Sequence, residues 1–415
     1  MADAYTRGFV TGYRCATCGA EVPIGTLHPF KCPDAPAGDS HHVLHPVVSG
    51  PDPELFDDPN PFVRYGRSLA WWAFARTHGL SEDACLALTR EVADGFVITP
   101  TAPSALLSEA VGADVWVKTE VGQLGGSHKA RHLVTILLHL RAAEELGLTS
   151  RDERRPLAIA SCGNAAIAAS TLTHTAGWPI QVYVPMIDGG PVIETLTALG
   201  AQINRCPRVE GEAGDPAVLR FREAVAAGAI PFSVQGPENG LCLDGGRTIG
   251  WELREALPAP ARVLIQVGGG AFAACMGWGL GPGYRLDTVQ TAGGAPLERA
   301  WRLASGVAAD DLGRRWSDFM TPWADPHSLA DGILDDETYD WQADVEVMRA
   351  SSGRPIVVGE DAVEAAWALA QRTGVKVSPT GSAGLAGLLP TASGPAVTPG
   401  ERVAIAMRNC PEWSV

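Results

Sequence analysis

The sequence lacks any apolar run that approaches the roughly 18–20 residues of a membrane span. Its N-terminus, MADAYTRGFVTGY, shows neither an apolar h-region nor a cleavage signal. Both absences predict a cytoplasmic protein with no membrane partner. Positive charge is also short: 32 Lys and Arg stand against 47 Asp and Glu, a net charge of −15. Such a chain has no broad positive field for a nucleic-acid backbone, so no nucleic-acid partner is expected. Most of the nine cysteines are scattered singly in apolar context, at Cys85, Cys162, Cys206, Cys242, Cys275 and Cys410. An odd count without framework spacing argues against a disulfide scaffold. A Walker loop and a G-x-G-x-x-G fingerprint are missing too.

What is there is an ordinary globular balance, 46% hydrophobic and 19% charged, in 415 residues. That length allows two or three domains and a sizeable core. Three cysteines are organised. YRCATCGAEVP places Cys15 and Cys18 in a C-x-x-C knuckle, FKCP adds Cys32, and DSHHVLHP offers His41, His42 and His45. Cys15, Cys18, Cys32 and His42 would suit a tetrahedral structural zinc in a ribbon-like extension over residues 1–48. So short a segment has little core of its own and gains from a metal staple. The alternative is that Cys32 and the histidines are incidental. Residues 49–90 read as a Pro- and Asp-rich linker and a helical lead-in. Within it RYGRSLAWWAFARTHGL predicts a helix ending at Gly79, whose Trp71 and Trp72 pack on another domain or subunit.

From about residue 91 to 415, short β-branched runs alternate with helical ones. The runs are DVWVKTE, PLAIAS, IQVYVP, RVLIQVGG, PIVVGE and RVAIAM, and the helical stretches are 129–147, 164–175, 191–199 and 361–373. This is an α/β pattern of parallel sheets covered by helices, with sites where strands end and helices begin.

Three such junctions are unusual. GQLGGSH leads into a helix that starts at Lys129 and carries Leu133, Ile136, Leu137 and Leu140 on one face. A cation is disfavoured in a first turn, so the dipole and a buried setting favour the neutral, nucleophilic amine. SCGN, residues 161–164, presents a hydroxyl, backbone N–H groups and an amide at another helix start, an arrangement that suits an oxygen anion. VGGGAFA, residues 267–273, puts Gly268, Gly269, Gly270 and Ala271 where N–H groups converge on a phosphate, unless the glycines serve tight packing alone.

Together these motifs resemble fold-type II enzymes dependent on pyridoxal 5′-phosphate, the threonine synthase, threonine dehydratase, cysteine synthase and tryptophan synthase β group. GSHK at 126–129 is similar to the family's G-S-[FH]-K, and SCGN and VGGGAFA to its S-x-G-N and glycine loops. TPTAPSALLSEAVGADVWVKTE, DGGRTIGWEL, HSLADGI and VKVSPTGSAGLAGLL follow in the family's order. The C-x-x-C extension is reminiscent of some threonine synthase-like members. The resemblance implies two α/β domains with the cofactor in the cleft, a smaller one inserted at about 125–210. It implies that Lys129 holds the cofactor as a Schiff base, with Ser127, His128, Asn164, the glycine loop and Thr380 around it. Ser161, Cys162 and Gly163 would bind the substrate carboxylate.

Two departures stand out. The last strand, VAIAMRNC, offers Met407 and Asn409 where members place a hydroxyl against the pyridine nitrogen, which leaves Thr380 or Ser378 for that role. GQLGGSHKARH also lacks the N-x-T-G-S-F-K-D-R pattern of threonine synthases. The implied reaction is α-proton abstraction from an amino acid, then β-elimination or β-replacement, by a homodimer. The alternatives are a threonine synthase-like β,γ-replacement on an O-phosphorylated homoserine-type substrate and a noncatalytic cofactor-binding protein with a zinc-ribbon interaction module.

Overall fold

A computed structural model describes residues 7–408, apart from residues 37, 187–188, 213, 391 and 395. Asn409 and Cys410 lie outside the described residues.

The N-terminal segment forms a small antiparallel sheet of β1 (Phe9–Cys15), β2 (Glu21–Pro23) and β3 (Leu44–Ser49), in the order β2-β1-β3. Along β1, Val10, Tyr13 and Cys15 are buried while Phe9, Thr11 and Arg14 are exposed, much as a one-sided sheet requires. The covered face joins the main core of the molecule. Leu44 O would lie 2.8 Å from a methyl group at Gly240, and Gly240 N–H donates to Phe30 O (2.9 Å). His41 stacks on Trp316 at 4.7 Å, and His45 meets the edge of Trp278 at 5.0 Å.

The lead-in is helical, at Pro61–Arg64, Ala70–Thr77 and Glu82–Val92. Asn60 and Ser81 cap two of these helices, accepting from Phe62 and Ala84 N–H. Trp71 and Trp72 are 1% and 4% exposed, packed between β1 and the helix Lys129–Glu145. They are therefore covered within the chain and do not form a subunit face.

Four strands follow: β4 (Thr101–Pro103), β5 (Asp114–Thr119), β6 (Leu157–Ala160) and β7 (Ile180–Pro185). Next come β8 (Gln202–Cys206), β9 (Ile230–Pro231), β10 (Ala261–Gln266) and β11 (Tyr284–Thr291). The last two are β12 (Pro355–Val358) and β13 (Arg402–Met407). They make two sheets, β12-β11-β10-β13-β5-β4 and β8-β7-β6-β9. Every pairing is parallel except that of β4 with β5.

The smaller sheet runs to Pro231, past the limit near 210 expected from the sequence. Its last strand is two residues long, too short to show any alternation. Two longer strands, β11 and the edge strand β8, also lack a recognisable pattern. In β11 the buried Asp287 interrupts the apolar run, held by Arg262 (2.6 Å) and Arg285 (3.1 Å). In β8, QINRC alternates weakly and is half exposed.

Candidate active site

The helix Lys129–Glu145 presents Lys129 as its first residue. Sequence patterning gave it one apolar face, but it is buried nearly all round. Arg131, His132, Thr135 and His139 are covered as fully as Leu133 and Ile136. Arg131 explains how so much polarity is tolerated. Its guanidinium donates to Glu120 (2.9 Å) and to Glu252 (2.5 Å), and Glu252 also binds Lys118 (2.5 Å). Two carboxylates and two cations thus balance in the interior and fix the first turn of the helix against β5 and the helix Arg247–Ala256.

Lys129 lines a cavity of about 300 Å³ between the two sheets. Three of the expected segments meet there. One is His128–Lys129. The second is Ser161–Ala165, where Gly163 precedes the helix Asn164–Ala176. The third is Val267–Ala273, where Gly270 precedes the helix Ala271–Leu280. The first turn of each helix leaves N–H groups without intrahelical partners, so both loops present donors to the cavity.

The site residues differ in how they are held. His128 stacks on Phe272 at 4.0 Å, and burial beside Lys129 holds its imidazole pKa well below the usual range, hence neutral. Its Nδ1 is buried without a hydrogen-bond partner among the described residues. Ser161 Oγ accepts from Gly163 N–H (3.3 Å). Ser127 is buried outside the cavity lining, and its hydroxyl accepts from Lys129 N–H (3.4 Å). Thr380 does not line the cavity either. Its hydroxyl donates to Asp331 (3.1 Å) and accepts from Gly332 N–H (3.0 Å). Ser378 caps the helix Pro379–Ala386 by accepting from Gly381 N–H.

The glycine loop serves packing and site together. A methyl at Gly268 would lie 2.5 Å from Asp335 Oδ2, one at Gly269 3.0 Å from the Tyr339 ring, and one at Gly270 2.6 Å from Asp344 Oδ2. Gly270 also has φ +99°, a conformation that other residues rarely adopt. The Cα sides of the glycines therefore face the segment 333–344.

That segment brings Asp335 and Tyr339 into the cavity, where Gln266 and Arg408 also stand. Sequence reasoning missed all four. LDDETYD looks like a solvated turn, and Arg408 lies in the VAIAMRNC run, whose only signal was a missing hydroxyl. Burial pushes the Asp335 carboxyl up to about 6, against the opposing pull of Lys129.

Apart from this cleft, Cys15, Cys18, Cys32 and His42 converge as the spacing predicted, with ligand atoms within 4.8 Å of one another. Cys15 Sγ lies 3.5 Å from His42 Nδ1, and Cys18 Sγ 3.5 Å from Cys32 Sγ. Ligand bonds of about 2.3 Å in a tetrahedron give edges of roughly 3.8 Å, so the group needs little movement to close on zinc. No helix among the described residues is long and apolar enough to cross a membrane.

Comparison with known proteins agrees with this geometry. Maize serine racemase has a similar structure, with a TM-score of 0.64 at 18% identity over 80% of this chain and 94% of that one. The processed form of threonine deaminase isoform 2 from Solanum lycopersicum gives 0.60 at 18% identity, covering 80% and 91%. In sequence, the chain is 30% identical to an L-threonine ammonia-lyase of Thermotoga maritima over 42% of its length and 40% of that protein's. It is 26% identical to a threonine synthase of Mycobacterium leprae over 74% and 79%. The matched part thus spans half or less of the first of these relatives. The cofactor fits the site on its own terms, since a buried nitrogen without a partner and two helix starts rich in N–H groups surround a lysine. The family model for pyridoxal-phosphate dependent enzymes matches residues 92–407, and the chain belongs to that family.

Proposed function

We propose that this enzyme removes the α-proton of a small amino-acid substrate and then eliminates or replaces its β-substituent. The observation that carries the reading is that Lys129, the SCGN loop and the glycine loop line one cavity. Lys129 would hold pyridoxal phosphate covalently, with His128 and the N–H groups of residues 268–271 toward its phosphate and Asn164 toward its ring oxygen. Bound there, the cofactor supplies an electron sink for the negative charge developing at the substrate's Cα. The chain supplies the rest. The Lys129 amine would be the base that accepts the α-proton. The N–H groups at the start of the helix Asn164–Ala176, with Ser161 and Cys162, orient the substrate carboxylate. Ser127 would act on the backbone of Lys129, and Thr380, bonded to Asp331, would act through the segment 331–332 rather than on the cofactor.

Lys129→Ala is expected to abolish the visible absorbance of the loaded enzyme and to lower turnover by roughly 10³-fold or more. Retained absorbance would sink the assignment. Assays with serine and threonine, reading keto acid, and with phosphohomoserine, reading phosphate, separate elimination from a β,γ-replacement. The latter is the second reading, supported by the long threonine synthase match. A noncatalytic protein with a free ribbon module is disfavoured, because Tyr13 and Leu44 of that ribbon are buried in the main core.

We also propose a structural zinc on Cys15, Cys18, Cys32 and His42, and a cytoplasmic homodimer. Sedimentation of the loaded enzyme checks the dimer.

A further inference from the structure

Asp335 has no role in the proton transfer assigned to Lys129, yet it lines the same cavity. Its segment is latched to the glycine loop, with Asp340 N–H donating to Gly269 O at 2.8 Å. Gly269 N–H in turn faces the Asp335 carboxylate as a donor, and the absence of a side chain at Gly268 leaves room for Asp335 Oδ2. The carboxyl group therefore reaches into the backbone cradle that the proposed function gives to phosphate.

Its charged neighbours come from three directions. Lys129 at the start of its helix and Arg408 after β13 favour the ionised carboxylate, whereas Asp336 of the same segment opposes it. The Tyr339 hydroxyl belongs to the same group, and its ring packs against Gly269. Asp340, next along, is turned away to accept from Gly236 N–H (3.2 Å). A phosphate dianion arriving among these groups meets an anion already seated at Gly269. Repulsion at such range is strong in a partly dry site.

We propose that Asp335 is a phosphate-contact residue that enters the loaded site protonated, donating its O–H to a phosphate oxygen, so that cofactor binding takes up a proton from solvent. The inference rests on the glycine loop as the phosphate cradle. The direction follows from linkage. The carboxyl titrates near 6 in the unloaded protein and higher beside phosphate, so uptake is greatest between those two values.

The test uses pyridoxine 5′-phosphate, which carries the phosphate but no aldehyde and leaves Lys129 uncombined. Calorimetric titration of the cofactor-free full chain at about pH 7.5, in buffers of different ionisation enthalpy, counts protons bound. Wild type is expected to take up about one proton per molecule bound, and Asp335→Asn, whose amide can still donate, close to none. The Asp335→Asn variant should also keep its affinity as pH rises, where wild type loses up to about tenfold per pH unit.

Equal uptake by both proteins would overturn the proposal. So would equal uptake by wild type with pyridoxine, which lacks the phosphate. If Asp335→Asn fails to fold, wild type alone decides, since zero uptake refutes the role of Asp335. Failure of wild type to bind pyridoxine 5′-phosphate while binding pyridoxine would instead refute the cradle, and Asp335's role with it.

Discussion

The cysteine knuckle and the cleft are both converging sites, but they are assembled differently. The knuckle draws its groups from one short stretch, Cys15 to His42, and every group is a side chain with an unmistakable chemistry. The cleft collects groups from His128 to Arg408, and among its donors are backbone N–H groups that any residue type but proline carries. A side-chain site at short spacing announces itself through residue identity. A backbone site announces itself only through the glycines that make room for it, and glycines have other reasons to be present.

If the contrast is right, the two regions should fail in different ways. The largest effect is expected at the knuckle. Structural zinc contributes on the order of 10 kcal/mol to small fingers, and part of that should appear here. Cys15→Ser, or prolonged chelation, should release one zinc and lower the denaturation midpoint more than any cleft substitution. Loss of zinc with an unchanged midpoint would show that the extension is held by packing alone. Next in size is Arg131→Ala, which leaves the buried Glu120 with the Thr99 hydroxyl but without its cation, and Glu252 with Lys118 as its remaining cation. A loss of about 3–5 kcal/mol is expected, together with weaker cofactor binding through a loosened first helical turn. Smallest is Gly270→Ala, where positive φ and the approach of Asp344 predict about 1–3 kcal/mol. Its control is Gly163→Ala, where no atom lies within 4 Å of the added methyl and φ is negative, so stability should hold within about 0.5 kcal/mol. If both glycine variants behave alike, close packing is not what fixes the loop.

Much of this was legible in the residues. The convergence of Cys15, Cys18, Cys32 and His42, the Lys129 helix start, the two loops and the six named strands all stand where patterning placed them. Three kinds of information were not. Buried charge was one. The Arg262–Asp287 pair hides β11, and Arg131 sits inside a helix that reads as amphipathic, because a charge satisfied by a partner on another element, 25 or 121 residues away, looks like a solvated charge in sequence. Local hydrogen bonding was another. The hydroxyls of Ser127 and Thr380 have the right chemistry for a cofactor but are held by Lys129 N–H and by Asp331. The third was coverage. Two adjacent tryptophans suggest an interface, and only the fold shows that β1 and the Lys129 helix enclose them.

The seating of Leu44 against Gly240 has a consequence for synthesis. The four proposed zinc ligands, Cys15 to His42, are synthesised before residues 240–245 and would be able to take up metal in that interval. Leu44 on β3 has part of its cover encoded at residues 240–245 and must wait for it, whereas β1 packs on the nearer helix Ala70–Thr77. For that interval the proposed zinc would hold a sheet whose Leu44 side is still uncovered. Pairing across so long a separation is slow, and the waiting surface is where aggregation would start. Early metal capture would limit that risk by fixing the sheet before its partner exists.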